Sequence, residues 1–253
     1  MGLSDLVYRL YERRIRRRLD RSRVPGHVAV LMDGNRRWAR AFGAPTSSGH
    51  QAGAEKARQF LGWCDDLDVN VVTLWMLSTD NLHRSEDELV PLLGIIENLV
   101  DDIASTGQWR VHPVGALDLL PDRTATVIKQ AADRTRDVDG MHVNVAVGYG
   151  GRHEIADAVR ALLHEHAAQG ASLEEVAETI TVEGIAEHLY TKGQPDPDLV
   201  IRASGEQRLS GFMMWQSANS EYYFCEALWP DFRQVDFLRA VRSYTERERR
   251  FGH

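Results

Sequence analysis

Asp33, Gly34, Asn35, Arg36 and Arg37 stand where a short apolar run, Val28-Ala-Val-Leu-Met32, gives way to polar residues. One carboxylate beside two guanidinium forks suits diphosphate chemistry. The forks match phosphate oxygens in shape and charge. The carboxylate is a natural ligand for Mg²⁺, which usually takes one or two carboxylates together with phosphate oxygens. If the apolar run is a buried parallel strand and Asn35-Arg-Arg-Trp38-Ala-Arg40 opens a helix, backbone N–H groups at the helix mouth add to an anion site. The same residues also fit an Asp N-cap followed by surface arginines.

A second candidate loop is Arg202-Ala-Ser-Gly-Glu-Gln-Arg208-Leu-Ser210, with two arginines six apart and a hydroxyl. It can clamp another diphosphate, or it can be a solvated loop of ion pairs. Glu221 is the sole acid between Ala218 and Cys225, where an unpaired carboxylate is costly, so it needs a cation or donors. Arg249 and Arg250 near the chain end offer further phosphate-binding chemistry or ordinary helix capping. Gly148-Tyr-Gly-Gly151 lacks both a following Gly-Lys-Ser/Thr and the GxGxxG spacing, so it reads as a tight turn from strand to helix. Met76, Leu77, Leu89, Leu92, Leu93 and Ile96 read as core, or as the wall of a tunnel for an apolar chain.

The elements that must position these residues alternate. Strands are predicted over 28–32, 70–77, 109–114, 142–147, 198–201 and 222–225. Helices are predicted from Asn35, over 51–64, 87–104, 122–137, 153–168, 172–179 and 182–190, and from 235 to 249. Such alternation implies right-handed crossovers and a single α/β domain, with a mostly parallel central sheet covered by helices. Ligands of such folds gather at the carboxyl ends of the strands. The loops at 33–37, 78–84 and 202–210 all follow predicted strands, which brings three distant segments to one site.

Composition sets the outer limits. The chain has 253 residues, 43% hydrophobic and 26% charged, ample for one large domain. Two cysteines outside any CxxC pair suit the cytosol, and ten histidines without an HExxH motif give no zinc signature. No apolar run reaches the roughly 18 residues of a membrane span. Residues 1–24 carry eight Arg against Asp5, Glu12 and Asp20, in a chain of net charge −7. The acidic remainder argues against nucleic acid as a partner. Leu3, Leu6, Val7, Leu10, Tyr11, Ile15 and Leu19 recur at helical spacing among these arginines. This basic amphipathic helix, set apart as 1–24 from a main domain of 25–253, either makes peripheral contact with an anionic membrane through residues 1–23 or docks on the body.

Taken together, several segments resemble one family in order from residue 26 to 252. They are His27-Val-Ala-Val-Leu-Met-Asp-Gly-Asn-Arg-Arg-Trp38, Gly49-His50-Gln-Ala-Gly53, Ser78-Thr-Asp-Asn81, Gly148-Tyr-Gly-Gly-Arg152, Asp198-Leu-Val-Ile-Arg-Ala-Ser-Gly-Glu206, Arg208-Leu-Ser-Gly-Phe212, Trp215 through Phe224 and Trp229-Pro-Asp-Phe232. The family is that of the cis-prenyltransferases, the undecaprenyl diphosphate synthase-like enzymes, and the resemblance is closest to their actinobacterial short-chain branch, (2Z,6E)-farnesyl diphosphate synthase.

The resemblance implies a homodimer, Mg²⁺, an apolar tunnel and a cytoplasmic enzyme. It also implies the reaction: the allylic C–O bond breaks, the isopentenyl double bond attacks C1, and a proton leaves C2. Asp33 matches the Mg²⁺-linked acid that ionises the allylic substrate. Gly34, Asn35, Arg37 and His50 match positions around the allylic diphosphate, with Arg36 and Trp38 as neighbouring substrate-binding candidates. Ser78, Asp80 and Arg84 fall at further substrate-binding positions. Arg202, Arg208 and Ser210 match the clamp on isopentenyl diphosphate, and Glu221 the second Mg²⁺-associated acid. Arg249 and Gly252 match terminal residues that reach the partner subunit's site. Asn81 matches a catalytic position, where it can orient a water or amide; a substrate phosphate oxygen is the alternative proton acceptor.

Three departures from the long-chain enzymes stand out. Thr79-Asp80-Asn81-Leu82 replaces Ser-Glu-Asn-Trp, Thr46 replaces an Arg, and Met76 replaces a small residue at a strand end. Strand alternation puts Met76 with Leu74 on one face and Trp75 with Leu77 on the other. Met76 is thereby expected to limit product length, giving a C15 product from a C10 primer. The alternatives are a long-chain polyprenyl diphosphate synthase and a non-catalytic partner subunit of a heteromeric prenyltransferase.

Overall fold

The structure, a computed structural model, describes residues 3–247. Six strands, β1 (His27–Leu31), β2 (Val71–Ser78), β3 (Arg110–Val114), β4 (His142–Tyr149), β5 (Leu199–Arg202) and β6 (Glu221–Phe224), form one sheet in the order β3-β4-β2-β1-β5-β6. Every neighbouring pair is parallel. This is the predicted α/β sheet, and it leaves all carboxyl strand ends on one side.

Period-two alternation divides the sheet residues between two apolar layers. Val28 and Val30 of β1 join the larger layer with Phe60 and Leu61 of α3 (Thr46–Asp65) and Leu92, Leu93 and Ile96 of α4 (Glu86–Ser105). Ala29 and Leu31 face the other way, into a smaller layer with Ala146, Tyr149, Phe212 and Met213. Both faces are therefore covered, as a parallel sheet requires.

The strand-face expectation fails at one place. Between β2 and β4 the register runs Trp75 to Ala146 and then Leu77 to Val147, so Met76 is the extra residue of a β-bulge. Ser78 then pairs with Tyr149, leaving Gly148 as the compensating extra residue on β4. Gly148 has φ 62°, a left-handed conformation that costs glycine little, and belongs to the strand rather than to the turn into α6 (Gly151–Ala168). The consequence is that Leu77 buries with Leu74 in the larger layer, Met76 packs against the same layer, and Trp75 alone turns to the smaller one.

At the amino end, α1 (Leu3–Arg18) contacts α9 (Gln234–Glu246). Ile15 and Leu19 are buried in the larger layer, and Arg16 reaches Asp66 at 2.9 Å. The guanidinium of Arg233 lies 4.6 Å from the Tyr8 ring centre, a cation–π contact that ties the two helices further. The buried part of the apolar stripe thus faces the body, and Arg13, Arg14, Arg17 and Arg18 face solvent. Among the described residues, no helix is long and apolar enough to cross a membrane.

Candidate active site

β1 ends at Leu31, and the chain turns through Met32, Asp33 and Gly34 into α2 (Asn35–Ala41). Gly34 has φ 105°, and a side chain there would meet Leu228 at 2.9 Å. The turn is consequently closed to other residues. α3 packs hard against α2: a Cβ on Gly49 would lie 2.1 Å from the Asn35 carbonyl oxygen. That close approach brings His50 to the edge of the turn. With only seven residues, α2 adds little dipole of its own, and Arg36, Arg37 and Arg40 supply the positive charge.

These groups line a cavity of about 580 Å³ at the carboxyl ends of β1, β2 and β5. Its walls include Asp33, Gly34, Asn35, Arg36, Arg37 and His50 from the first segment. Ser78, Asp80, Asn81 and Arg84 come from the second, and Arg202 and Ser210 from the third. The three loops predicted to share one site do so. Arg40 lines it as well, a residue to which the sequence assigns no site role, and so does Leu92, one of the apolar residues read as core or tunnel wall.

Asp33 sits where two basic groups meet. Its Oδ2 accepts hydrogen bonds from Arg202 Nη2 at 2.9 Å, Ser204 Oγ at 2.9 Å and Arg37 Nη2 at 3.5 Å. Burial, the largest single influence, raises its pKa, but Arg202, Ser204 and Arg37 together hold the carboxyl below its ordinary range. Asp33 is thus ionised at neutral pH. Every one of these bonds ends on Oδ2, so Oδ1 has capacity for a further partner. Ser204 has φ 84°, a strained conformation for a side-chain-bearing residue, held by its N–H bond to the Ala227 carbonyl at 2.7 Å.

Arg202 is nearly buried and also donates to Ser210 Oγ at 3.0 Å and to the Arg208 carbonyl. It organises the loop that carries the second pair of predicted basic residues. Arg208 itself is exposed and pairs with Glu206. Glu206 lies 3.7 Å from Arg37, so one acid touches both basic groups.

The apolar side of the cavity is formed by Leu31, Met32, Trp75, Met76, Leu77 and Leu92. Beyond it, between α3 and α4, lies a smaller hollow of about 30 Å³ lined by Met32, Ala54, Met76, Leu92, Ile95, Ile96, Leu99 and Trp229. Met32, Met76 and Leu92 wall both spaces, so the two are neighbours along one path. The inner hollow is far smaller than the outer cavity, about 30 against about 580 Å³.

Some predicted site residues lie elsewhere. Trp38 turns away from the cavity, donating from Nε1 to Asp231 at 2.9 Å and packing on Phe42. Glu221 opens β6 opposite Leu199, whereas Arg202, which touches Asp33, pairs with Phe224 three residues on. At about 3.3 Å per residue, that puts Glu221 on the order of 10 Å toward the amino end of the sheet. Its carboxylate pairs with Arg247 and is partly exposed, because β6 is an edge strand. The structure does not bring it to Asp33 within one chain. Arg249 and Gly252 lie outside the described residues.

Residues 31–252 match the family described as "Putative undecaprenyl diphosphate synthase". The chain is 61% identical over 254 residues to a (2Z,6E)-farnesyl diphosphate synthase of Thermobifida fusca, covering both proteins completely. It is 58% identical to isoprenyl transferase 1 of Streptomyces avermitilis, over all of this chain and 98% of that one. Among solved structures, lavandulyl diphosphate synthase of Lavandula x intermedia, crystallised with dimethylallyl diphosphate, superposes with a TM-score of 0.84 at 33% identity. That match covers 92% of this chain and all of the other. The arginine-lined cavity, the parallel sheet and these likenesses agree: the chain belongs to the undecaprenyl diphosphate synthase family and is a cis-prenyltransferase.

Proposed function

We propose that the protein condenses isopentenyl diphosphate with a short allylic diphosphate, geranyl diphosphate, to give (2Z,6E)-farnesyl diphosphate. The observation that carries this reading is the cavity itself. Two basic groups meet at Asp33, and the apolar side of the cavity continues past Met32, Met76 and Leu92 into a much smaller hollow. Arg36, Arg37, Arg40 and His50 would hold the allylic diphosphate, and Arg202, Arg208 and Ser210 the isopentenyl diphosphate. Ser78, Asp80, Asn81 and Arg84 would close the third side.

The chemistry asked of these residues is alignment and charge stabilisation. As the allylic C1–O bond breaks, its electron pair leaves with the diphosphate, where fixed guanidinium groups already await the charge. The isopentenyl double bond forms the new bond to C1, and the proton lost from C2 passes to an acceptor. Asn81 is within the cavity wall to orient that acceptor, its own N–H held by Ser78 Oγ at 3.2 Å. Holding the two carbons together contributes as much as any single charge.

Asp33 fits Mg²⁺ by its chemistry: a hard, ionised carboxylate with spare acceptor capacity beside phosphate-binding arginines. Bound there with diphosphate oxygens, the ion would supply Lewis-acid stabilisation of the leaving group. Asp33 would supply the protein carboxylate, and substrate phosphate oxygens and water would complete the shell that Mg²⁺ prefers.

A homodimer is supported by the open edge of the sheet at β6, where Tyr222 and Phe224 stack with centroids 6.4 Å apart and Phe224 is exposed. We assign a cytoplasmic site of action; any contact with an anionic membrane would run through the exposed arginines of α1. Since Ile15 and Leu19 are turned inward, that contact would be electrostatic and salt-sensitive rather than inserted. Chromatography of products made from radiolabelled isopentenyl diphosphate with C5, C10 and C15 primers tests the central reading. A C15 product from the C10 primer is expected; chains of C50 or longer would favour the long-chain alternative.

A further inference from the structure

Three groups from three segments converge on one atom. Oε1 of Glu88 lies 2.8 Å from Arg84 Nη1, 3.4 Å from Arg36 Nε and 3.8 Å from His50 Nε2. Arg36 comes from α2, His50 from α3, and Arg84 from the segment before α4, and all three line the cavity. Glu88 itself stands in the first turn of α4 with a largely buried side chain.

An acid in the first turn of a helix is ordinary, and so is its i,i+4 pair with Arg84. Neither explains why groups from two other helices point at the same oxygen. His50 Nε2 is buried and has no hydrogen-bond partner, its 3.8 Å from Glu88 being too long for one. One guanidinium hydrogen bond, a second guanidinium at 3.4 Å and an unpartnered imidazole nitrogen around a single oxygen make a setting that a phosphate oxygen would also fit. The carboxylate occupies that position with one negative charge, and it leaves the donor shell incompletely satisfied.

We propose that Glu88 is a specificity-determining residue, whose carboxylate holds the outer cations of the cradle and yields them to a diphosphate but not to a monophosphate. This rests on reading the cavity as a diphosphate site. A monophosphate carries about two negative charges at pH 7, and must displace Glu88 from Arg84 and Arg36 for those contacts alone. A diphosphate brings more charge and reaches the inner Arg37 at the same time, so it offsets the displacement with contacts elsewhere. In this half-buried cluster, competition between anions is stronger than it would be in open water.

The test is calorimetric titration of the full chain with inorganic phosphate and inorganic pyrophosphate at fixed ionic strength. Glu88→Gln keeps the shape and removes the charge. It should tighten phosphate about tenfold and pyrophosphate no more than about threefold, so that selectivity for pyrophosphate narrows. Glu88→Ala should narrow it similarly, which separates lost charge from any new amide contact, while Glu88→Asp should stay near wild type. An unchanged or widened ratio in both neutral variants would overturn the proposal and leave the diphosphate reading intact. Failure of the wild type to bind pyrophosphate at all would overturn both.

Discussion

Arg202 Nη2 lies 2.9 Å from Asp33 Oδ2, joining the end of β5 to the end of β1 across the floor of the cavity. On the proposed assignment, the contact would place one cation of the isopentenyl clamp directly on the acid of the allylic site and couple the two sites by a single ion pair, one side of which is almost fully desolvated.

Asp33→Ala should lower kcat by about 10³-fold, roughly 4 kcal/mol of transition-state stabilisation, with a much smaller change in substrate affinity. Steady-state kinetics with both substrates checks this. A variant retaining a tenth of wild-type turnover would remove Asp33 from the centre of the chemistry.

Arg202→Ala should act differently from Arg208→Ala. Arg202 is buried and holds Asp33, so its loss should raise KM for isopentenyl diphosphate and also move the acid limb of the kcat profile to higher pH. The sign follows from the pKa: Asp33 is held below the ordinary carboxylate range, and without Arg202 its burial pushes the value up. Arg208 is exposed and pairs with Glu206 rather than Asp33. Its replacement should raise the same KM and leave the acid limb in place, whereas Arg37→Ala should act chiefly on the allylic partner. Identical pH profiles for the two loop variants would refute the coupling.

Met76→Ala should shift products from C15 toward C20 and beyond, since it joins the large cavity to the small hollow behind it. Met is flexible, so the wild type should already leak a minor C20 fraction. Thin-layer chromatography of dephosphorylated products reads both. Lost stability with unchanged chain length would mean that Met76 only packs the core.

His27 offers a prediction about stability far from the site. Its Nδ1 donates to the Pro195 carbonyl at 2.8 Å, and its Nε2 accepts from Thr73 Oγ1 at 2.8 Å. Burial lowers its pKa to about 4 from 6.5. The unfolded chain therefore binds the proton more readily, and stability falls as pH drops from about 6.5 to about 4. The loss should reach about 3 kcal/mol. Urea midpoints for wild type and His27→Gln at pH 7 and pH 4.5 should show a smaller pH dependence in the variant; equal dependence would count against it.

Much of this could be read from the residues. Alternating strands and helices gave the parallel sheet, and the loops after three strands gave the cavity that unites Asp33, Asn81 and Arg202. What local pattern could not show was long-range pairing. Glu88 reads as an ordinary first-turn acid until α2 and α3 bring Arg36 and His50 to it. Glu221 reads as a buried acid in an aromatic run until β6 proves to be an edge strand with Arg247 at hand. Trp38 follows two cavity arginines in sequence but lies on the other side of its helix, against Asp231. Leu77 broke the strand alternation because bulges depend on the partner strand, here Gly148 of β4.

That paired irregularity bears on how such enzymes diverge. Met76 is the residue of β2 skipped by the ladder with β4, so its backbone carries none of the matched pairing on that side. If Met76 gates the chamber as proposed, exchanging its side chain would alter the depth while Trp75 and Leu77 keep their partners and the sheet keeps its register. Product length would in this way be separated from foldability. A lineage could try larger or smaller residues at one unpaired position and reach a different isoprenoid without first rebuilding the scaffold that makes it.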